Sequence, residues 1–252
     1  MKKQLILLLF ALTVVIFTSC NQQKESKKIE VVEETTAVET ETKGLVEAVL
    51  TKEQQDALTP DEVISSLKNG NNRFMNNDLT ARDHSKQVRN STLSQYPKAI
   101  VLSCVDSRVP VEDVFDRGIG DLFVARVAGN FVNEDILGSM EFACKVSGSK
   151  LILVMGHEHC GAVKAAVDDV KLGNITPMLQ KIRPAVESVA YEGDRTSKNQ
   201  EFVSLACESN VRNTIAQIRM NSPILKEMEE KGEIKIAGAV YDMDNGNVDW
   251  LQ

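Results

Sequence analysis

Leu151-Ile152-Leu153-Val154-Met155-Gly156-His157-Glu158-His159-Cys160-Gly161 is the stretch from which the fold can be read. Its first five residues are apolar without alternation, the pattern of a strand covered on both faces. The run ends at a glycine, and residues 162–170 then take helical spacing. A strand that feeds a helix is half of a βαβ unit. Working outward, residues 99–103 and 122–127 form two more short apolar runs of the same kind, and residues 135–146 read as a helix between the second run and the third. A fourth run, 234–241, leads through Asp244-Asn245-Gly246-Asn247 into 248–251. Asn-Gly between apolar runs is a hairpin signal, so the last strand is expected to return antiparallel. The expected fold is α/β: a mostly parallel central sheet of about four strands plus an antiparallel edge strand, flanked by helices.

Helix signals upstream fit this scheme. Thr59-Pro60-Asp61-Glu62 reads as a start, with Thr59 as cap, Pro60 in the first turn and Glu62 three positions on. That helix is expected to end near Asn69-Gly70, with a second short helix over 72–75. There is no internal repeat.

Two of the expected strands run into unusual chemistry. The first meets Cys104-Val105-Asp106-Ser107-Arg108; the third meets Gly156-His157-Glu158-His159-Cys160-Gly161. In parallel sheets the ligand crevice lies at strand C-termini where the topology switches direction, so the two clusters are expected to converge. His157 and Cys160, three apart at the opening of a helix, can point to one side. With Cys104 they make a Cys2His set, which suits tetrahedral zinc with its fourth position open, the mark of a catalytic rather than a structural site. Of three histidines in the chain, two lie in this short motif.

Cys104-x-Asp106-Ser107-Arg108 with His157-x-x-Cys160 resembles the paired zinc motifs of β-class carbonic anhydrases. The likeness extends through Gly120-Asp121-Leu122-Phe123-Val124-x-Arg126-x-Ala128-Gly129-Asn130, Gly161-Ala162-Val163 and Gln95-x-Pro97-Lys98. It covers residues 58–251, nearly the whole expected domain. The resemblance implies one zinc ion per subunit on Cys104, His157 and Cys160, with carbon dioxide and bicarbonate as substrates. Two thiolates and a neutral imidazole leave the ion almost without net charge, yet catalytic zinc brings its bound water to a pKa near ~7. The hydroxide then attacks CO2. Asp106 is expected to orient that hydroxide, and Arg108 to clamp Asp106 and keep it ionised.

The same resemblance implies a substrate pocket with Gln95 donating to a substrate oxygen. Phe123, Ala128 and Phe142 would form apolar walls, with Gly129 beside them. It implies a homodimer, or a higher oligomer built from dimers, in which Gln95 and Phe142 reach the pocket from the partner subunit. Phe142 stands where many members have Tyr. A bicarbonate-controlled subgroup uses a Trp where this chain has Val101; Arg126 and Tyr241 match other members of that regulatory site, but the missing Trp argues for water on zinc at rest. His159, beside the second cluster, and His84, in a polar stretch, are the candidates for passing the proton to buffer. Glu158 reads as a solvent-facing side chain. Two rival readings are a hydrolase of the same fold acting on CS2 or COS, and a non-catalytic zinc-binding surface module; the latter has no need of the Asp106–Arg108 pair.

The 252 residues allow one sizeable domain plus extra segments. A net charge of -7 leaves no basic footprint, so nucleic acid is not an expected partner. Lys2 and Lys3 followed by an apolar run over 5–17 have the form of a secretory signal, too short for a comfortable span. The run ends in Phe17-Thr18-Ser19-Cys20, resembling a bacterial lipoprotein signal, with Phe17 where Leu is commoner. Residues 1–19 are therefore expected to be a signal peptide and Cys20 to be lipidated. Residues 20–50, rich in Glu, Lys, Thr and Val, are expected to be a flexible spacer, and 51–252 the catalytic domain. The product would be exported and held at the periplasmic or outer envelope face of a bacterium, touching membrane through its N-terminal lipid only. Of five cysteines, Cys144 and Cys207 read as small buried hydrophobes rather than a disulfide.

Overall fold

The computed structural model describes residues 44–252; the expected signal peptide, Cys20 and most of the expected spacer lie outside the described residues. Helices α1 (Lys52–Asp56), α2 (Pro60–Met75) and α3 (His84–Asn90) precede the sheet. Next come β1 (Ala99–Ser103), α4 (Val111–Val114), β2 (Leu122–Arg126), α5 (Glu134–Glu141) and β3 (Leu151–His157). The rest is α6 (Gly161–Val167), α7 (Ile175–Leu179), α8 (Arg183–Ser188), α9 (Gln200–Asn221), α10 (Pro223–Glu230), β4 (Lys235–Tyr241) and β5 (Val248–Trp250). Among the described residues no helix is long and apolar enough to cross a membrane.

The strands form one sheet in the order β2-β1-β3-β4-β5. The first four are mutually parallel and β5 returns antiparallel on β4, as the Asn245-Gly246 turn predicts. β1 and β3 are buried along their whole length, which their unalternating sequences require. β2 has the same kind of sequence but lies at the sheet's edge and is only half-buried. One face of the sheet packs Ile100, Leu102, Ile152 and Val154 against α5, α9 and α10; the other packs Val101, Leu153 and Met155 against α2 and α4.

The Thr59–Glu62 capping box is present, since Glu62 N donates to Thr59 Oγ1 and Thr59 N to Glu62 Oε2. The expected break at Asn69-Gly70 is not: α2 runs unbroken to Met75. Gly70 serves close approach instead, because a Cβ there would lie 1.9 Å from the Phe115 carbonyl oxygen. The helix expected over 135–146 is α5 followed by a π-helical segment, Phe142–Val146. The helix after Cys160 stops at Val167, short of residue 170, with Asp169 at φ +52°. Residues 44–50, which composition assigns to the spacer, run beside the domain: Val46 N donates to Ala81 O at 2.9 Å, and Asp83 N to Val46 O at 3.1 Å.

Glycines set how closely α9 seats on the sheet. A Cβ at Gly156 on β3, or at Gly238 on β4, would come within 2.8 Å of Val211 on α9. Only a residue without a side chain allows that approach.

Candidate metal and catalytic site

From β1 the chain goes to β2 on one side, and then crosses to β3 on the other. The C-terminal ends of β1 and β3 are therefore the switch point of the sheet, where a crevice is expected. Cys104 follows the last residue of β1, and His157 is the last residue of β3. Cys160 caps the N-terminus of α6, held close to β3 by the short turn between them. Donor atoms of Cys104, His157 and Cys160 lie within 4.8 Å of one another, and all three residues are buried.

This donor set fits a metal. Two sulfurs bound at ~2.3 Å to one tetrahedral ion would stand about 3.8 Å apart, and the Cys104 and Cys160 sulfurs are 4.0 Å apart. His157 Nδ1 lies 2.8 Å from the Glu158 carbonyl oxygen. A proton on Nδ1 donated to that carbonyl leaves Nε2 with its lone pair, and Nε2 is buried with no hydrogen-bond partner among the described residues. Two soft thiolates and one imidazole are zinc-type ligands.

Electrostatics agree. Cys104 has its pKa pushed down, first by its contact with Cys160 and against the opposing effect of burial, with help from His157 and the Gly129 N–H. Gly129 N lies 3.4 Å from Cys104 Sγ. A proton left on the pair resides on Cys160, whose pKa is raised by Cys104 and by burial. Among the described residues Cys144 and Cys207 have no disulfide partner; both are buried, and burial pushes both up to about 12, consistent with small hydrophobes.

Asp106 and Arg108 meet in a bidentate pair, Nε to Oδ1 at 2.9 Å and Nη2 to Oδ2 at 2.8 Å. The Arg108 guanidinium beside it holds the Asp106 carboxyl well below the usual carboxylate range, despite partial burial. Asp106 Oδ2 is 3.8 Å from His157 Nε2, so the carboxylate faces the donor set. Arg126, linked on sequence to a regulatory site, is committed to backbone here. Its guanidinium donates to the carbonyls of Cys104 and Asp106, each at 2.9 Å, and to that of Val109, bracing the loop that carries the dyad.

Not every expected site residue joins this group. Phe123 and Phe142 meet edge to face at 6.2 Å and line a cleft at the β2 edge with Ile100, Ala125 and Ile136; the metal-type donors are not among its walls. Phe142 is 51% exposed. Gln95 is exposed in the loop before β1, Ala128 is half-buried, and Gly129 is buried beside Cys104. Glu158 is not free in solvent as expected: it is half-buried, and its Oε2 accepts from Met243 N at 3.3 Å. The brace by Arg126 and the Gly129 amide were not legible in the sequence, since both act through backbone atoms.

Comparison with known proteins agrees with this geometry. A family model described as carbonic anhydrase matches residues 99–248. A carbonic anhydrase of Mycolicibacterium smegmatis is 34% identical over 190 residues, 73% of this chain and 89% of that protein. Among solved structures, the β-carbonic anhydrase CcaA aligns with a TM-score of 0.59 at 22% identity, covering 76% of this chain and 90% of its own. Tetrameric β-carbonic anhydrases of the filamentous ascomycete Sordaria macrospora align with a TM-score of 0.58 at 22% identity, covering 76% and 95%. With the family model spanning more than half of the sequence, and a one-third-identical relative matched over most of its own length, the chain belongs to the β-carbonic anhydrases and is an enzyme.

Proposed function

We propose that this enzyme hydrates carbon dioxide reversibly to bicarbonate and a proton, with one zinc ion per subunit on Cys104, His157 and Cys160. The observation that carries the reading is the buried His157 Nε2, unpartnered among the described residues, close to two cysteine sulfurs and facing an ionised Asp106. Bound zinc supplies the Lewis acidity that makes water a nucleophile near neutral pH. The chain's residues do the rest. Asp106 is acceptor-only when ionised, so it takes a hydrogen bond from the attacking oxygen and aims a lone pair at the substrate carbon. Arg108 keeps it ionised and fixes its plane through two parallel bonds. One C–O bond forms as a C=O π pair of CO2 moves onto its oxygen, one O–H bond of water breaks, and the proton leaves to buffer.

Assembly belongs to the same proposal. β2 is a half-exposed apolar edge strand, and the Phe123–Phe142 cleft opens beside it. Such an edge is normally covered. A second copy covering it makes a homodimer or a dimer-based oligomer, and Phe142 and the exposed Gln95 then reach the partner's substrate pocket. Export and lipidation at Cys20 rest on the N-terminal sequence pattern.

Stopped-flow CO2 hydration on the purified protein, with zinc analysis in parallel, tests the reading. The expected result is one zinc per chain and rapid hydration. A zinc-loaded protein that hydrates CO2 no faster than buffer, or that releases sulfide from CS2 in preference, overturns it.

A further inference from the structure

The amide that faces Cys104 belongs to a turn with unusual backbone. Gly129 and Asn130 both lie in the left-handed region, at φ +81° and +40°. Glycine enters that region freely, whereas Asn130 does so at a cost that its surroundings must offset. One side of this turn is closed by Ile182, since a Cβ on Gly129 would lie 2.3 Å from its Cδ1.

The other side is held by α9. Asn210 Nδ2 donates to the Gly129 carbonyl oxygen at 2.8 Å, and Thr214 Oγ1 to the Asn130 carbonyl oxygen at 3.2 Å. Both side chains are only 1% exposed. Four residues apart, they lie on one face of the helix. That face reaches the turn because Gly156 and Gly238 let α9 seat closely at the neighbouring Val211. Asn210 Oδ1, by contrast, is buried without a partner among the described residues.

We infer that Asn210 and Thr214 are positioning residues of the metal centre. By gripping the carbonyls of Gly129 and Asn130 they keep the Gly129 N–H aimed at the Cys104 sulfur. An N–H donated to a thiolate stabilises its charge and fixes the direction of its lone pairs, the two properties by which residues behind the ligands tune a metal site. Neither side chain donates to a metal ligand directly; both act through one peptide turn. The inference rests on the zinc reading above and adds two residues to it.

Asn210→Leu keeps the approximate shape and removes the donor; Thr214→Val removes only the hydroxyl. Zinc affinity is measured by competition with a chromophoric chelator, and the thiolate-to-metal charge-transfer band is recorded on cobalt-loaded protein. Circular dichroism of the metal-free proteins reports folding. Expected are about 10–100-fold weaker zinc binding in Asn210→Leu, a several-fold loss in Thr214→Val, and a shifted cobalt band in both. A folded variant of either kind with the parent's affinity and the parent's cobalt spectrum overturns the inference. Should Asn210→Leu not fold, Thr214→Val decides alone by the same criterion. A parent protein that binds no zinc removes the zinc reading itself, a result distinct from a parent that binds and variants that match it.

Discussion

Asp106 Oδ2 lies 3.8 Å from His157 Nε2, joining the Asp106–Arg108 pair to the metal-type donors across the ends of two adjacent strands. The imidazole meets the Glu158 carbonyl through Nδ1, so Nε2 is the nitrogen turned to the donor set, and Asp106 stands outside the three donors. Asp106→Asn should therefore bind a full equivalent of zinc and hydrate CO2 at least about 10²-fold more slowly, the lower end for a proton-handling group. Normal turnover in that variant would remove Asp106 from the mechanism. Zinc analysis beside stopped-flow hydration separates the two effects.

Cys160→Ser replaces a soft ligand by a hard one at a buried position. Zinc content should fall to background and hydration with it, while the circular dichroism of the domain is kept. A variant that retains stoichiometric zinc would show that Cys160 is not a ligand.

Gly129→Ala places a methyl group against Ile182 Cδ1 in a left-handed backbone. The strain should cost about 1–3 kcal/mol of stability, read from urea denaturation. Ile182→Val deletes the clashing carbon, so the double variant should be less destabilised than the sum of the two single changes. Strict additivity would show that backbone conformation, not the clash, dominates.

Asp116 is fully buried and accepts from Arg82, Arg73 and Thr80. Burial raises its pKa, but these donors outweigh burial and leave it at about 2. The unfolded value is about 3.9, so the ion pairs contribute fully above that pH and are lost as pH falls toward the folded value. Asp116→Asn should be less stable at neutral pH by about 3–5 kcal/mol, since two arginines lose their partner. The gap from the parent should narrow between about pH 4 and pH 2. A gap independent of pH across that window would exclude Asp116 as an acid-sensitive group.

Phe142 is half-exposed and meets Phe123 edge to face beside the open strand edge. Phe142→Glu puts a charge into the surface proposed to meet a second copy. Light scattering should show the parent as a dimer or a multiple of one, and the variant as a monomer with much reduced hydration. A parent that is monomeric and fully active would remove the shared-pocket arrangement.

Much of this molecule follows from patterns a few residues long. Unbroken apolar runs marked β1 and β3, Asn245-Gly246 marked the antiparallel return of β5, and Thr59 with Glu62 marked the start of α2. Cys104, His157 and Cys160 stood out as donors because Cys104 and His157 lie where such runs end and Cys160 follows His157 by three residues at a helix start, and strand ends in a parallel sheet converge. Asp106–Arg108 is a contact two residues apart, also within reach of local pattern.

Other features depended on packing between distant segments. Gly70 looked like a helix end and proved to be a point of contact with Phe115. Glu158 looked solvated and proved to hold the Met243 amide, 85 residues away. Asn210 meets Gly129 across 81 residues, a pairing created by how closely α9 lies on the sheet. Periodicity and capping record each residue's relation to its own helix or strand. Which buried amide meets which carbonyl is decided only when elements dock, because the energy that selects those partners comes from side chains far apart in the chain.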